Sequence, residues 1–196
     1  MNYAALEKDI MERLSGELPS HLYYHNTAHV RDVIRAVEEI AAGEGIAGNE
    51  LTLLKTAALF HDTGFLFAAE GHEERSCRLA EEYLPRYGYP DAAIREIKKM
   101  ILATRLPQHA ETPAEKILAD ADLDYLGRDD FFTVGNRLFR ELLHSGAVKT
   151  EEEWNALQVK FLENHRYFTG TSRKNRDAKK AENLLKIKSK LTKTCL

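Results

Sequence analysis

The chain has 196 residues, of which 43% are hydrophobic and 30% charged, with a net charge of −3 and two cysteines. This length and composition fit one globular domain with a complete hydrophobic core, and the two cysteines, Cys77 and Cys195, exclude a disulfide-stapled protein. With no signal-peptide pattern and no apolar run near the roughly 18 residues of a membrane span, we expect a cytoplasmic protein without a membrane partner.

Hydrophobic residues recur at helical spacing along almost the whole chain, which predicts an all-α fold. A first helix carries its apolar residues at Tyr3, Leu6, Ile10 and Leu14. A second helix begins after the predicted N-cap Asn26. Its apolar stripe consists of Val30, Val33, Ile34, Val37 and Ile40.

A third helix is predicted to begin at Asn49 as its cap and to run to His61. Its inner face consists of Leu54, Ala57 and Ala58. Gly64 is expected to take the left-handed conformation that ends many helices. Asp62 follows His61 by one residue, about 100° further around a helix, so both side chains reach one point only if the helix ends there.

Further helices are predicted over residues 73–84 and from Asp91 towards Thr104. The sixth helix has a clear start, because Thr112-Pro113-Ala114-Glu115 combines a capping box with proline at the first helical position. Gly127 is expected to close this region. The sequence therefore predicts short connections between packed helices rather than separate domains.

The C-terminal third predicts three more helices. One contains Phe131, Val134, Leu138 and Leu142, and another begins at a second capping box, Thr150–Glu153. Residues 173–196 contain nine basic and two acidic residues. We interpret this segment as a solvated helix face rather than a nucleic-acid site, because Ala178, Ala181, Leu184, Leu185 and Leu191 supply an apolar stripe.

Two histidines and two aspartates are the candidate metal ligands. His29 lies in Tyr24-His25-Asn26-Thr27-Ala28-His29, His61 and Asp62 in Leu59-Phe60-His61-Asp62-Thr63-Gly64, and Asp122 in Ile117-Leu118-Ala119-Asp120-Ala121-Asp122. This mixed nitrogen and oxygen set suits one divalent transition metal: Mn, Fe, Co, Ni or Zn. On a helical wheel, Asp122 lies nearest the apolar face and Asp120 lies towards the opposite one, which favours Asp122 as the last ligand.

Together, these segments and Gly71-His72-Glu73-x-x-Ser76 resemble the HD-domain family of metal-dependent phosphohydrolases. The resemblance covers about residues 23–127 and implies an HD-domain helical bundle, with a metal-binding core over about 20–128 and a helical extension over 129–196. It also implies that His29, His61, Asp62 and Asp122 bind the metal. Members with two metals carry extra histidines; here Thr104 stands where one is expected, which favours one metal, with His72 the open question.

The resemblance implies hydrolysis of a small phosphate ester, with a nucleotide as the predicted substrate. Water activated by the metal attacks phosphorus, and Asp62 is placed to accept its proton. His25 is the candidate proton donor to the leaving oxygen, or else a loop histidine that caps or packs. Alternatives are a phosphodiesterase acting on a cyclic nucleotide and a non-catalytic metal or nucleotide sensor. Candidate substrate contacts are Lys55, His72, Glu73, Arg105, Arg173 and Arg176.

Overall fold

The computed structural model describes residues 1–194 and contains nine α-helices and no strand within that range. The all-α prediction is therefore confirmed. Cys195 lies outside the described residues. The helices are α1 (Tyr3–Glu17), α2 (Thr27–Gly43), α3 (Gly48–Phe60), α4 (His72–Tyr83), α5 (Asp91–Ala103), α6 (Pro113–Asp122), α7 (Phe131–Ser145), α8 (Glu151–Asn164) and α9 (Gly170–Thr194), and 3-10 turns span Thr63–Leu66, Leu84–Tyr87 and Asp124–Gly127.

Two of the predicted helix starts are built as their sequences indicate. The Asn26 side chain accepts hydrogen bonds from the amides of Ala28 (2.9 Å) and His29 (3.4 Å) at the start of α2. At α6 both halves of the capping box form between Thr112 and Glu115. These local hydrogen bonds satisfy amides that the first turn of a helix leaves unpaired, so they fix where each ligand-bearing helix begins.

Two predicted helix boundaries are wrong. Asn49 lies inside the first turn of α3, whose N-cap is Ala47 without a side-chain hydrogen bond. Gly64 has no positive φ angle and lies within a 3-10 turn. Glycine is required there for another reason: a Cβ atom at Gly64 would collide with the backbone carbonyl of His72. The helix carrying His61 ends by this tight approach of α4, not by a left-handed residue.

The hydrophobic interior consists of two clusters. The larger one contains residues of every helix from α1 through α6 and includes Phe60, Leu54 and Ile101, each fully buried. The smaller one joins the 3-10 turn Asp124–Gly127 to α7, α8 and α9, around Phe131 and Ile187. The C-terminal helices therefore have a core of their own that adjoins the end of α6.

The buried face of α9 differs from the predicted stripe. Leu185 is 67% exposed, and Ala178 and Ala181 are also exposed. The side chains that α9 buries are Ser172, Lys180, Asn183 and Ile187. Asn183 donates hydrogen bonds to the carbonyls of Leu126 and Arg128, both at 3.1 Å. Buried polar contacts of this kind cannot be predicted by counting apolar residues. No helix among the described residues is long and apolar enough to cross a membrane.

Candidate metal centre

Four side chains from separate parts of the chain meet at one point. His29 projects from the first turns of α2, His61 and Asp62 stand where α3 ends, and Asp122 is the last residue of α6. His29 belongs to the buried face of α2 that also carries Val33. The sequence separations of 32, 1 and 60 residues are therefore closed by helix packing alone.

The donor atoms lie at the spacing of ligands around a single ion. The two Nε2 atoms of His29 and His61 are 3.2 Å apart. Asp122 Oδ1 lies 3.2 Å from His29 Nε2 and 3.4 Å from His61 Nε2, and Asp62 Oδ2 lies 3.4 and 3.2 Å from the same two atoms. An ion bonded at about 2.0–2.2 Å to each donor would set its ligands roughly 3.0–3.5 Å apart. The group formed by His29, His61 and Asp122 could hold a metal.

Hydrogen bonding around the centre also fits a cation. His61 Nδ1 donates to the carbonyl of Ala58 at 2.8 Å, so in the neutral imidazole that binds a metal the lone pair of Nε2 is directed at the cluster. Asp62 Oδ2 is buried and has no hydrogen-bond partner. Because an unpaired buried carboxylate oxygen is costly, this atom is best explained as a ligand to a positive ion.

The charges of the cluster compensate one another. Burial alone would raise the pKa of Asp62, but the neighbouring His61 and His29 hold it well below its usual range. Burial opposes the charged form of Asp122 too, yet the same two histidines lower its pKa to about 2. Conversely, the pKa of His61 is raised well above its usual value by Asp62 and Asp122, against the effect of burial. The carboxylates are thus ionised, as metal ligands must be.

Ser76 of α4 holds the turn that follows His61 and Asp62. Its hydroxyl donates to the carbonyl of His61 at 2.8 Å and accepts from the amide of Gly64 at 2.8 Å. The residue is fully buried. Ser76 therefore closes the same contact between α4 and the turn that requires glycine at position 64.

His25 is held by a residue of α7 that the sequence analysis did not single out. Its Nδ1 pairs with Glu141, whose carboxylate also accepts from the amides of Tyr24 (2.9 Å) and His25 (3.2 Å). The His25 ring stacks on Phe65 with centroids 4.0 Å apart. Glu141 lies 116 residues from His25 along the chain, so nothing in the local sequence marks it as the partner of His25.

His72 and Glu73 lie beside the cluster as predicted candidates. His72 Nδ1 donates to the carbonyl of Ala69 at 2.9 Å, and its Nε2 lies 3.5 Å from Asp62 Oδ1 and 3.6 Å from Glu73 Oε1. Arg105 approaches Glu73 Oε2 at 3.8 Å and pairs with Glu74. His72 and Glu73 line the cavity at the metal centre, whereas Arg105, whose side chain is 47% exposed, does not.

Three other candidate substrate contacts point elsewhere. Lys55 pairs with Glu38 at 2.5 Å and lies over the ring of Tyr3, because its position on α3 faces α1 and α2. Arg176 forms a bidentate pair with the buried Asp124, at 2.7 and 3.1 Å. Arg173 is exposed on α9. None of these three residues lines the cavity at the metal centre, so this geometry gives their predicted phosphate contacts no support.

Asp120 is separated from the cluster, as the helical wheel indicated, but it is not a surface charge. The residue is fully buried and accepts hydrogen bonds from the amides of Phe168 and Thr169, both at 2.8 Å, and from the Thr169 hydroxyl at 2.7 Å. It fixes the segment that leads into α9. Asp122, two residues later, is the carboxylate that meets His29 and His61.

A cavity of about 440 Å³ opens from the metal centre. One end is lined by His25, Asp62, His72, Glu73 and Asp122. Thr104 lines the wall nearby, with its hydroxyl donating to the carbonyl of Ile101 at 2.8 Å. The remainder is lined mainly by hydrophobic side chains of the region after residue 122. The volume falls in the range of small-molecule sites.

Comparison with known proteins agrees with this geometry. Residues 27–124, half of the chain, match the family model described as HD domain. A crystal structure described as a predicted HD superfamily hydrolase from an uncultured Thermotogales bacterium is similar in fold, with a TM-score of 0.65 and 21% sequence identity. That match covers 98% of this chain and 99% of the other, whereas no curated protein matches. The chain belongs to the HD-domain family.

Proposed function

We propose that the protein is a metal-dependent phosphohydrolase that releases inorganic phosphate from a small phosphate ester. One observation carries the proposal: two imidazole nitrogens and two carboxylates converge within 3.2–3.4 Å at the end of a ligand-sized cavity, and the buried Asp62 Oδ2 has no hydrogen-bond partner. In the reaction water attacks phosphorus, the bond to the ester oxygen breaks, and an alcohol and hydrogen phosphate leave.

His29, His61, Asp62 and Asp122 would hold the divalent ion. When bound, the ion would lower the pKa of the attacking water and offset negative charge on the phosphoryl group. Asp62 Oδ1, the oxygen on the side of His72, is available to accept the proton of the attacking water. Before the ion binds, the neighbouring His61 and His29 lower the pKa of this carboxylate and keep it ionised.

His25 is the proposed proton donor to the leaving oxygen. Its Nδ1 is engaged by Glu141, so Nε2 is the nitrogen left for the substrate, and the residue lines the cavity beside the metal centre. Phe65, stacked on the ring, fixes its plane. A histidine so oriented protonates an alkoxide leaving group while the carboxylate of Glu141 balances the charge on the ring.

The experiment is a phosphate-release assay with metal-reconstituted protein against alkyl, aryl, sugar and nucleoside monophosphates, the last being the substrate class that the family resemblance predicts. We expect release that requires the metal. Comparing p-nitrophenyl phosphate with bis(p-nitrophenyl) phosphate separates the monoesterase from the diesterase alternative. A protein that binds metal and releases no phosphate from any ester would instead be the non-catalytic sensor.

The His25→Ala variant tests the proton donor. General acid catalysis contributes about 100- to 10,000-fold, so we expect a loss of this size with alkyl esters and a smaller loss with p-nitrophenyl phosphate, whose leaving group needs no proton. His109→Ala is the matched control, since His109 is exposed and does not line the cavity. Equal losses on both ester types would remove His25 from the proton-transfer step.

A further inference from the structure

We propose that the ester carries an apolar alcohol group, a single alkyl or aryl chain, which the cavity encloses next to the phosphate. This inference rests on the proposed function and names its substrate class. The cavity has a polar end, lined by His25, Asp62, His72, Glu73 and Asp122, and an apolar remainder.

The apolar remainder is built by the C-terminal helices. Leu138 and Leu142 of α7 and Trp154, Leu157, Phe161 and Leu162 of α8 line it. Leu138, Phe161 and Leu162 also pack in the smaller hydrophobic cluster, whereas Leu157 is 46% exposed. The region after the metal-binding helices therefore supplies the wall that a substrate group meets once its phosphate lies at the metal centre.

The wall offers little to a polar group. Among residues 1–192, whose side chains the structure describes, no lysine or arginine lines the cavity. The amide of Gln158 donates to Asn155 at 3.3 Å, and the hydroxyl of Thr104 donates to Ile101. These two donors are thus already engaged within the protein, and the wall's other polar side-chain groups are the hydroxyls of Tyr24 and Tyr125 and the indole N–H of Trp154.

These features select against nucleotides with several phosphates, because no lysine or arginine among the described side chains lines the cavity to balance the added charge. They also disfavour a nucleobase or a sugar, whose donors and acceptors would lose water without gaining partners. An alkyl chain in the same space removes apolar surface from water on both sides. The cavity therefore fits a monophosphate of an apolar alcohol, present as a soluble single molecule.

The test uses ethyl, butyl, hexyl and octyl phosphate with the metal-loaded protein, and AMP for comparison. Burial of one methylene group strengthens binding affinity about fourfold. We therefore expect kcat/KM to rise by roughly that factor for each added methylene until the chain fills the cavity. The kcat/KM for hexyl phosphate should exceed that for AMP. Faster release from vesicles of phosphatidic acid than from hexyl phosphate would overturn the assignment to a soluble ester.

Leu142→Gln is the matched variant, because it places an unpaired amide in the wall at almost unchanged volume. We expect the ratio of hexyl to ethyl kcat/KM to fall by about tenfold. The control is Leu143→Gln: Leu143 is 40% exposed and does not line the cavity, so the ratio should stay at the wild-type value. A ratio measured within one preparation does not depend on the fraction of folded protein.

A binding measurement separates this inference from the proposed function. Trp154 is the chain's single tryptophan and lines the cavity, so its fluorescence reports occupancy by non-hydrolysable alkylphosphonates. Tighter binding with longer chains, without any phosphate release, would support the apolar class and refute the hydrolase. Release with a flat chain-length series, or with AMP preferred, would overturn the apolar class and leave the hydrolase standing. No chain-length dependence in binding and no release would overturn both.

Discussion

Glu141→Ala should destabilise the protein and slow the reaction together, because one carboxylate anchors α7 and orients His25. It accepts from the amides of Tyr24 and His25 and pairs with His25 Nδ1. A hydrogen bond to a charged group contributes about 1.5–3 kcal/mol, and the buried Tyr24 amide would lose its partner. Since such terms are not additive, we expect a loss of about 3 kcal/mol, or roughly 6–12 °C in Tm for a chain of this size.

Thermal unfolding and kcat, measured on the same preparations, check this expectation. Glu141→Gln keeps an oxygen for the amides but loses the charge that faces His25, so it should recover part of the stability and little of the rate on alkyl esters. Glu152→Ala on α8 is the control, because Glu152 is exposed. A Tm for Glu141→Ala within about 2 °C of the wild type would refute the anchoring of α7 through this residue.

The pH dependence of the same pair provides a sign test. Burial alone would raise the pKa of Glu141, but His25 and the two amides lower it below the ordinary 4.5. A carboxylate with a lowered pKa stabilises the folded state above that ordinary value and loses this contribution as pH falls through its folded pKa. The Tm difference between wild type and Glu141→Ala should therefore have its largest value above pH 4.5 and become smaller as the pH falls below it. A difference that widens in acid would contradict the ion pair.

Two further predictions concern the aspartates of α6 and the half-buried His165. Asp122→Ala should abolish the rise in Tm that added Mn²⁺ produces. Asp120→Ala should lower Tm but keep that rise, because Asp120 binds the amide of Phe168 and not the metal. Loss of the rise in both variants would contradict the choice of Asp122 as the metal ligand. Burial and the charge of Lys180 lower the pKa of His165 to about 3, so the unfolded chain takes up a proton that the folded one refuses. The free energy of unfolding should fall below pH 6.5 by up to about 1.4 kcal/mol per pH unit, and denaturant titrations of His165→Gln should show this slope removed.

The parts of the fold that the sequence predicts are those with local causes. Asn26 and Thr112 start their helices through side chains two or three residues from the amides they cap. The helical wheel predicts that Asp122 and Asp120 face different ways, because successive residues are rotated by about 100°, but it does not predict that Asp120 is fully buried. Gly64 shows the limit: its position was noticed, but the reason for glycine is a contact with His72 on another helix.

The parts that the sequence did not predict depend on contacts between distant segments. Glu141 meets His25 only because α7 folds back over the start of α2, and Ser76 reaches the His61 carbonyl from α4. Lys55 was a candidate substrate contact, but its ammonium group pairs with Glu38 on α2. The leucines of α7 indicated a helix facing a core, and the structure turns that face towards a cavity.

The central claim is that His29, His61, Asp62 and Asp122 hold one divalent ion. Anomalous diffraction from crystals grown with Mn²⁺ tests it most directly. We expect one peak about 2.0–2.3 Å from the Nε2 atoms of both histidines and from an oxygen of each aspartate. No peak at this cluster, or a peak bound only by other residues, would contradict the metal centre, and a second peak between Asp62 and His72 would contradict the single ion.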